Sequence, residues 1–365
     1  MIRMNRAREN FILQYPLEKY ASLDSVLFFD IETTGFLARS SNLYLIGCAY
    51  YTQNQWNIRQ WFAETPKEET LVLNEFLSFA EQFTTLVHFN GNQFDLPYLK
   101  QKCEQHGINH HLDEMQGIDI YKRISPYKAL LKLPNCKQKT LEHFLGIHRE
   151  DQYAGGELIE VYKNYCRHPL NEYKDTLLLH NFEDVCGMLD CLPILKYTDV
   201  LNQPVTVHKV QANKYADFQG NIKRELIMFA TLGDTVPVPV LLSKENVFLR
   251  MEENTCQIKV PIYDGELKYY YANFKDYYYL PQEDMALHKS IAGYVEKAYR
   301  QQAQASNCYT RKTSAYLPQW DVTFEPFFKK DYKDPQTYFE LTEELKKDRE
   351  AFSNYVNHIL SNVFR

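Results

Sequence analysis

Apolar positions early in the chain form short runs that are typical of strands. The run SVLFFDIE begins at Ser25 and ends in carboxylates, and SNLYLIGCAYYT and QWNIRQWFA follow as two more strand-like runs separated by a turn-like QN. Residues 69–83 then place apolar side chains at helical spacing, and TLVHFN follows as a compact buried strand. The pattern predicts an antiparallel meander of three strands, followed by a helix and a fourth strand.

Helical patterns continue from there to about residue 195. The segment QFDLPYLKQKCEQHG predicts a helix that begins at Asp95, with Pro97 in its first turn, where a missing amide proton costs little. KTLEHFLGI and GELIEVYKNYC predict two short helices. Residues 171–192 carry one apolar stripe and predict a long helix that Pro193 closes. This mixture of strands and helices predicts an α/β fold.

The pattern changes after about residue 200. VFLRMEE, CQIKVPIY and KYYYANF are strand-like, residues 285–303 are helix-like, and residues 340–360 predict a long amphipathic helix. Prolines at 193 and 204 flank the change. We therefore expect three parts, which are an N-terminal extension (1–20), an α/β domain (21–198) and an α+β region of unknown role (199–365).

Composition and charge limit the class of protein. The 365 residues are 45% hydrophobic and 24% charged, which excludes a collagen-like or broadly disordered chain. Eight cysteines without a C-x-x-C pair argue against a zinc ribbon and favour buried free thiols. The net charge of −6 does not suggest a protein that grips nucleic acid mainly by charge, but it allows an enzyme that handles phosphates through metal ions.

Neither a membrane span nor a secretory leader is evident in the sequence. No run approaches 18 uninterrupted apolar residues, and the basic N-terminal stretch lacks an apolar block with a small-residue cleavage site. The expectation is a cytoplasmic protein without a membrane partner.

The first motif that carries chemistry is the end of the first buried strand, FFDIETTGF. Side chains alternate along a strand, so Asp30 and Glu32 share one face while Ile31 points into the core. Two carboxylates on one small surface repel each other unless a cation lies between them, and Mg²⁺ favours such oxygen ligands. The alternative is a pair of solvated acids before a glycine turn.

Two further motifs follow in the chain. In VHFNGNQFDLPYL an apolar strand runs into Asn90 and Gly91, and Asp95 then opens a helix. In HNFED, His180 and Asp184 stand at i and i+4 and share one helix face. Each has an ordinary structural interpretation, because N-G is a common turn, Asp is a common first helical residue, and an i, i+4 pair is often only a surface hydrogen bond.

Together, in this order, the motifs FFDIETTG, NGNQFDLPYL and HNFEDV resemble those of the DEDD exonucleases of the RNase H-like (DnaQ-like) superfamily. With the intervening KTLEHFLGI they are most similar to the bacterial YprB-like branch of predicted exonucleases, over roughly residues 20–195. The resemblance implies an RNase H-like mixed sheet flanked by helices, followed by a C-terminal α+β appendage. It also implies that Asp30, Glu32, Asp95 and Asp184 hold two divalent metal ions, Mg²⁺ or Mn²⁺.

One position departs from the superfamily pattern. Its members carry either Tyr four residues before the last Asp or His five residues before it, whereas this chain has His180 at the tyrosine spacing and Leu179 five residues before Asp184. His180 is the candidate general base, because an imidazole pKa near neutrality suits that role. Alternatively, it only packs or hydrogen-bonds beside Asp184.

The function implied by the resemblance is metal-dependent hydrolysis of phosphodiester bonds by a two-metal mechanism, from the 3′ end of single-stranded DNA or RNA. The competing hypotheses are a catalytically weak or inactive RNase H-like nucleic-acid-binding protein and a protein-interaction scaffold. Candidate substrate contacts come from the loop after the first strand and from the Asn-rich turn: Thr33, Thr34, Gly35, Asn90 and Asn92.

Two other stretches could contact nucleic acid. Residues 121–140 carry six cations and no acid, which suits a phosphate backbone or simply a solvated face. Residues 263–279 carry seven tyrosines, which are either a stacking platform for single strands or ordinary half-buried sheet residues.

Overall fold

The computed structural model describes residues 1–151, 153, 155–217 and 219–364. The chain divides into two compact units, Met1–Thr198 and a second unit that begins at Asp199. Within the described residues, no helix combines the length and the apolar character that crossing a membrane requires.

The first unit is built on a mixed six-stranded sheet in the order β1-β4-β3-β2-β5-β6. Strands β2, β3 and β4 form the predicted antiparallel meander, and β5 and β6 add in parallel on the other side of β2. The strands are β1 (Ile2–Arg8), β2 (Val26–Thr33), β3 (Leu43–Thr52), β4 (Gln55–Phe62), β5 (Thr85–His88) and β6 (Gln116–Asp119).

The N-terminal residues are part of this sheet rather than an extension to it. Strand β1 pairs antiparallel with β4 along its whole length, from Ile2 opposite Phe62 to Arg8 opposite Trp56. Arg8 also pairs with Asp190 at 2.6 Å. The segment IRMNRAR is mostly polar because it forms an edge strand, so the hydrophobic pattern did not reveal it.

Helices cover both faces of the sheet. Phe29 of β2 contacts Phe76 of the first helix, with ring centroids 5.7 Å apart, whereas the next residue, Asp30, contacts Asn181 of the long helix. Because side chains alternate along a strand, these two helices lie on opposite faces. The helices are α1 (Glu69–Ala80), α2 (Asp95–His106), α3 (Ile120–Ile124), α4 (Gln138–Phe144), α5 (Gly155–Arg167), α6 (Asn171–Cys191) and α7 (Leu195–Asn202).

The predicted helices of the first unit are confirmed, and their boundaries follow local signals. Helix α2 begins at Asp95 with Pro97 in its first turn, and it ends at Gly107, which takes a left-handed conformation with φ of 65°. Helix α6 spans nearly the whole apolar stripe and stops two residues before Pro193. The cysteines are free thiols, of which only Cys166 is exposed.

The second unit is a mainly antiparallel β structure. Its larger sheet has the order β16-β17-β15-β11-β10-β9, with β8 beside β11 and β7 beside β8, and its smaller sheet has the order β13-β12-β14. The elements are β7 (Thr206–Ala216), β8 (Ile222–Thr231), β9 (Val240–Lys244), β10 (Val247–Glu252), β11 (Thr255–Tyr270), β12 (Tyr277–Leu280), β13 (Met285–His288), α8 (Lys289–Ala292), β14 (Gln301–Gln302), β15 (Tyr309–Gln319), β16 (Phe327–Phe328), β17 (Thr337–Glu340) and α9 (Arg349–Asn362).

Two helix predictions in this unit need correction. The helix expected over residues 285–303 is wrong, because Met285–His288 pair with β12 and only the short segments Lys289–Ala292 (α-helix) and Lys297–Tyr299 (3-10 helix) are helical. The terminal helix begins at Arg349 rather than near residue 340, since the Asp348 side chain caps it by accepting from the amide of Ala351. Strand pairing and a cap overrode the helical periodicity of these segments.

Six of the tyrosines in the tyrosine-rich stretch are half-buried strand residues of β11 and β12, and Tyr271 directly follows β11. All seven tyrosines between residues 263 and 279 are partly covered. Several pack on one another, as in the stacked pair Tyr271 and Tyr277, whose centroids are 4.5 Å apart. The ordinary sheet interpretation therefore fits these residues better than an open stacking platform.

Candidate active site

The predicted acids converge at one edge of the first sheet. Strand β2 supplies Asp30 and Glu32, helix α2 begins at Asp95, and helix α6 supplies Asp184. Asp30, Glu32 and Asp184 line a cleft of about 440 Å³. Asp95 lies close enough for its charge to act on both β2 carboxylates. Four carboxylates from three distant segments of the chain thus form one cluster.

Burial and mutual repulsion dominate the electrostatics of this cluster. Burial, followed by the charges of neighbouring carboxylates, raises the pKa values of Asp30 and Glu32 well above their usual range. Burial is also the main reason that the pKa of Asp95 rises to about 7. Such a cluster is costly in its ionised form unless cations balance it.

A hydrogen-bonded chain holds Asp30. Asn181 of α6 donates through Nδ2 to Asp30 Oδ2 at 3.0 Å, and its Oδ1 accepts from Gln60 Nε2 at 2.9 Å. A Cβ at position 47 would overlap the Asn181 side chain, so Gly47 is needed for α6 to approach β3 this closely. Asn181 is part of the HNFED motif, but the sequence pattern did not single it out.

His180 lies inside the acid cluster. Its Nδ1 is 2.6 Å from Asp151 Oδ2, and its Nε2 is 3.1 Å from Asp184 Oδ2 and 3.5 Å from Glu32 Oε1. Burial alone would lower the pKa of His180, but hydrogen bonds to Asp184 and Asp151 raise it. The imidazole therefore lies among three carboxylates, and two of them favour its protonated form.

Asp151 fixes the orientation of this imidazole and is itself firmly held. The Lys139 ammonium lies 2.8 Å from Asp151 Oδ2, and the Tyr153 amide donates to Oδ1 at 3.0 Å. Burial alone would raise the pKa of Asp151, but these partners and His180 lower it. Asp151 was missed in the sequence because it follows α4 in an irregular segment that carries no motif.

A buried arginine neutralises the fourth acid. Arg149 donates to both oxygens of Glu142 and to Asp184 Oδ1, and Gln138 Nε2 donates to the Asp184 carbonyl at 2.7 Å. Burial would raise the pKa of Asp184, but His180 and Arg149 lower it. A Cβ at Gly187 would overlap Glu142, so this glycine is required for the network.

Asp119, the last residue of β6, accepts hydrogen bonds from the turn that precedes Asp95. Asp119 accepts through Oδ1 from the Asn90 amide at 3.0 Å and through Oδ2 from the Asn92 amide at 3.4 Å. Asn90 has a positive φ of 62°, a conformation that Asn adopts more readily than most residues. Within the described residues, its Oδ1 is buried without a hydrogen-bond partner.

The candidate substrate residues of the β2 loop differ in accessibility. Thr33 and Gly35 line a second cleft of about 170 Å³ beside Glu32, together with the exposed ring of Phe36. The Thr34 hydroxyl instead accepts from the Asn42 amide at 2.8 Å and holds the loop. Phe36 was not among the residues expected from the sequence.

The last part of the basic stretch, residues 121–140, reaches the 440 Å³ cleft, which we call the main cleft. Lys137 and Lys139 are among the residues that line the 440 Å³ cleft. Lys139 is already engaged by Asp151, so Lys137 is the cation that can meet a phosphate there.

The raised pKa of Asp95 predicts a pH-dependent stability of the metal-free protein. An acid whose pKa is higher in the folded than in the unfolded protein makes folding less favourable as pH rises. The loss of stability accumulates between the pKa of the unfolded state and the pKa of the folded state. In EDTA, Asp95→Asn should therefore gain stability relative to wild type between about pH 4 and pH 7, by up to roughly 4 kcal/mol. Urea unfolding at a series of pH values measures this difference.

The matched control for Asp95 is Glu104→Gln, which makes the same chemical change at an exposed position of the same helix. The difference in free energy of unfolding between Glu104→Gln and wild type should stay constant over the same pH range. A stability difference for Asp95→Asn that does not change with pH would contradict the expected ionisation of Asp95.

The donor set fits a hard divalent cation. Glu32, His180 and Asp184 offer ligand atoms that all lie within 4.8 Å of one another. The remaining acids, Asp30 and Asp95, supply further oxygen ligands, which Mg²⁺ and Mn²⁺ prefer. Bound cations would also offset the repulsion that raises the pKa values of the β2 carboxylates.

Comparison with known families supports the fold of the first unit. The model of a family described as RNase_H superfamily matches residues 27–191, from the start of β2 to the end of α6. The mixed sheet flanked by helices is consistent with this match, and the first unit has an RNase H-like fold. No curated protein sequence matches the chain significantly.

Several solved structures are similar to the chain. A family B DNA polymerase from Pyrobaculum calidifontis is 14% identical over 67% of this chain and 33% of its own, with a TM-score of 0.39. Escherichia coli ExoI in a complex with single-stranded DNA is 13% identical over 56% of this chain and 54% of its own (TM-score 0.29). A product-bound exonuclease I is 12% identical over 63% and 59% (TM-score 0.33). The chain thus spans from a third to about three fifths of the length of these proteins.

Proposed function

We propose that this protein is a divalent-metal-dependent exonuclease that hydrolyses phosphodiester bonds of nucleic acid. The observation that carries the proposal is the cluster of carboxylates from β2, α2 and α6, of which those from β2 and α6 line one cleft. The pKa values of three of them are raised, first by burial and then by the charges of neighbouring carboxylates, and a bound cation would offset this cost. The match to the RNase_H superfamily model covers every residue of the cluster.

Asp30, Glu32, Asp95 and Asp184 are the proposed metal ligands, for two Mg²⁺ or Mn²⁺ ions. When bound, such cations polarise a phosphoryl oxygen and stabilise the charge that develops on the attacking and leaving oxygens. The chain's own residues prepare the site. Asn181 orients the Asp30 carboxylate, and His180 together with Arg149 holds the pKa of Asp184 below its usual value, which favours the ionised acid.

His180 is the proposed general base for the attacking water. Its Nδ1 is fixed by Asp151, so Nε2 is the nitrogen that faces Glu32 and Asp184 at the cleft. Hydrogen bonds to Asp184 and Asp151 raise the pKa of His180 and so favour its protonated form. We infer that His180 can accept a proton only after cations have balanced the carboxylate charge.

Substrate and direction are inferred from the resemblance to the DEDD exonucleases. The proposed substrate is the 3′ end of single-stranded DNA or RNA, degraded in the 3′-to-5′ direction. Thr33 and Gly35, which line the smaller cleft beside Glu32, are placed to approach a terminal nucleotide. Lys137 lies at the main cleft, where it can meet a backbone phosphate.

A second candidate function is nucleic-acid binding with weak or no cleavage. One observation favours it. Arg149 already engages Asp184 Oδ1, which leaves the other oxygen of that carboxylate to His180 and reduces what it offers to a cation. Binding without metal-dependent cleavage is the outcome that would distinguish this candidate.

The test is degradation of single-stranded DNA and RNA, labelled at either the 3′ or the 5′ end, with Mg²⁺ or Mn²⁺ and with EDTA. We expect metal-dependent shortening in which a 5′-labelled strand gives a ladder and a 3′ label is released first as a mononucleotide. Release of the 5′ label first would reverse the proposed direction. Metal binding by calorimetry without cleavage of any strand would favour the second candidate.

A further inference from the structure

The second unit exposes a patch that is both aromatic and basic. It comprises residues 288–300 together with Tyr278, and we call it the basic aromatic patch. Three large apolar side chains project from it: Ile291 is 63% exposed, Tyr294 is 93% exposed and Tyr299 is 49% exposed. Single exposed apolar residues are common, but three within nine residues form a cluster that indicates an interaction site.

The charge of the patch is opposite to that of the whole chain. Residues 288–300 contain Lys289, Lys297 and Arg300 but only one acid, Glu296, in a protein with a net charge of −6. Among the described residues, none of these three cations has a carboxylate within ion-pair distance. Their charge is therefore available to an anionic partner.

The patch is ordered before any partner binds. The Tyr278 ring contacts two cations, with Lys289 Nζ 5.3 Å and Arg300 Cζ 4.7 Å from its centroid. Arg300 also donates to the carbonyl of Ala292, and the Gly293 amide donates to the Lys289 carbonyl at 2.9 Å. Binding would thus cost little ordering of the backbone.

We propose that the basic aromatic patch binds single-stranded nucleic acid without sequence preference, as a contact separate from the acid cluster of the first unit. The cations, which have no carboxylate partner, suit backbone phosphates, and the exposed tyrosine rings offer faces on which unpaired bases stack. Two of the three exposed apolar residues are aromatic, which favours bases over acyl chains as partners. The proposal rests on the proposed function only in taking a nucleic-acid strand as the substrate.

The test measures binding apart from hydrolysis. The full chain in EDTA is titrated against a fluorescein-labelled dT20 strand by anisotropy, for wild type, Tyr294→Ala/Tyr299→Ala and Lys297→Glu. We expect the double variant to bind about tenfold or more weakly. Lys297→Glu should also bind more weakly and show a shallower dependence of affinity on salt concentration. All three positions are exposed, so folding should not be affected.

Matched controls are Tyr332→Ala, which removes a tyrosine that is 44% exposed elsewhere in the second unit, and Lys347→Glu, which reverses an exposed charge in the same unit. Both should bind like wild type. Equal affinity of wild type and patch variants, or no binding by wild type, overturns the proposal. So does a patch-dependent affinity for phosphatidylcholine–phosphatidylserine vesicles without one for dT20.

The two proposals fail in different ways. If patch-dependent binding is present but no strand is cleaved with Mg²⁺ or Mn²⁺, the proposed function fails and the patch assignment is supported. If strands are cleaved but the patch variants bind as wild type does, the patch assignment alone is overturned.

Discussion

Asp30→Asn is expected to lower the rate of strand degradation by about 10³-fold or more at saturating Mg²⁺. Asp30 lines the 440 Å³ cleft, and burial and the charges of Asp184, Glu32 and Asp95 all raise its pKa. Its carboxylate is one of the proposed metal ligands and would supply oxygen to the cations that balance this cluster. Loss of a group that stabilises several kcal/mol of developing charge has an effect of this size, since each 1.36 kcal/mol is a factor of ten in rate.

The same substitution should stabilise the metal-free protein. Burial and repulsion raise the pKa of Asp30, so its ionised form is unfavourable in the folded state at neutral pH. The amide of asparagine is uncharged and keeps an oxygen that can accept from Asn181. In EDTA at pH 8, the melting temperature should rise by roughly 2–4 °C, as expected for about 1 kcal/mol in a domain of this size.

Opposite effects on activity and stability distinguish a functional site from a structural one. Asp24→Asn, the same change at an exposed position just before β2, should alter neither property and serves as the control. Full metal-dependent activity of Asp30→Asn would remove Asp30 from the proposed site. A lower melting temperature in EDTA would show that its carboxylate is structural.

Arg149→Met is expected to destabilise the protein by about 3–5 kcal/mol, the usual cost of breaking a buried ion pair by removing one partner. Its guanidinium is almost fully buried and contacts both Glu142 and Asp184. Methionine fills much of the same volume but leaves Glu142, which is 1% exposed, without its cation. The measurement is urea unfolding at pH 7 in EDTA.

Two further variants make the Arg149 result specific. Adding Glu142→Gln to Arg149→Met should recover part of the lost stability, because it removes the uncompensated charge. Arg3→Met breaks an exposed pair with Glu75 and should leave the unfolding midpoint nearly unchanged. A small loss for Arg149→Met, equal to that of Arg3→Met, would contradict the role of this network.

Local patterns in the chain were sufficient for much of the first unit. The alternation of FFDIE puts Asp30 and Glu32 on the same face, and the apolar stripe of residues 171–192 predicts α6 and the shared face of His180 and Asp184. These features depend on periods of two and about 3.6 residues, which are visible in a single segment. The resemblance of three short motifs then indicated that they meet.

Local patterns failed where a partner far along the chain decides the structure. The β1 strand is mostly polar and becomes a strand only by pairing with β4. Residues 285–303 have helical periodicity, yet pairing with β12 makes their first part a strand. Strand pairing depends on neighbours that no local window contains.

The sequence by itself determined which acids are present and which helix and strand faces carry them. Only the tertiary structure decided what surrounds them: Asn181 reaches Asp30 across 151 residues, and Arg149 and Asp151 hold Asp184 and His180 from a segment without regular structure. The physical reason is that charge compensation in a buried cluster acts over a few ångströms in space. That spacing is set by the packing of α6 on the sheet and of α4 on α6, and no periodic pattern in the sequence reveals it.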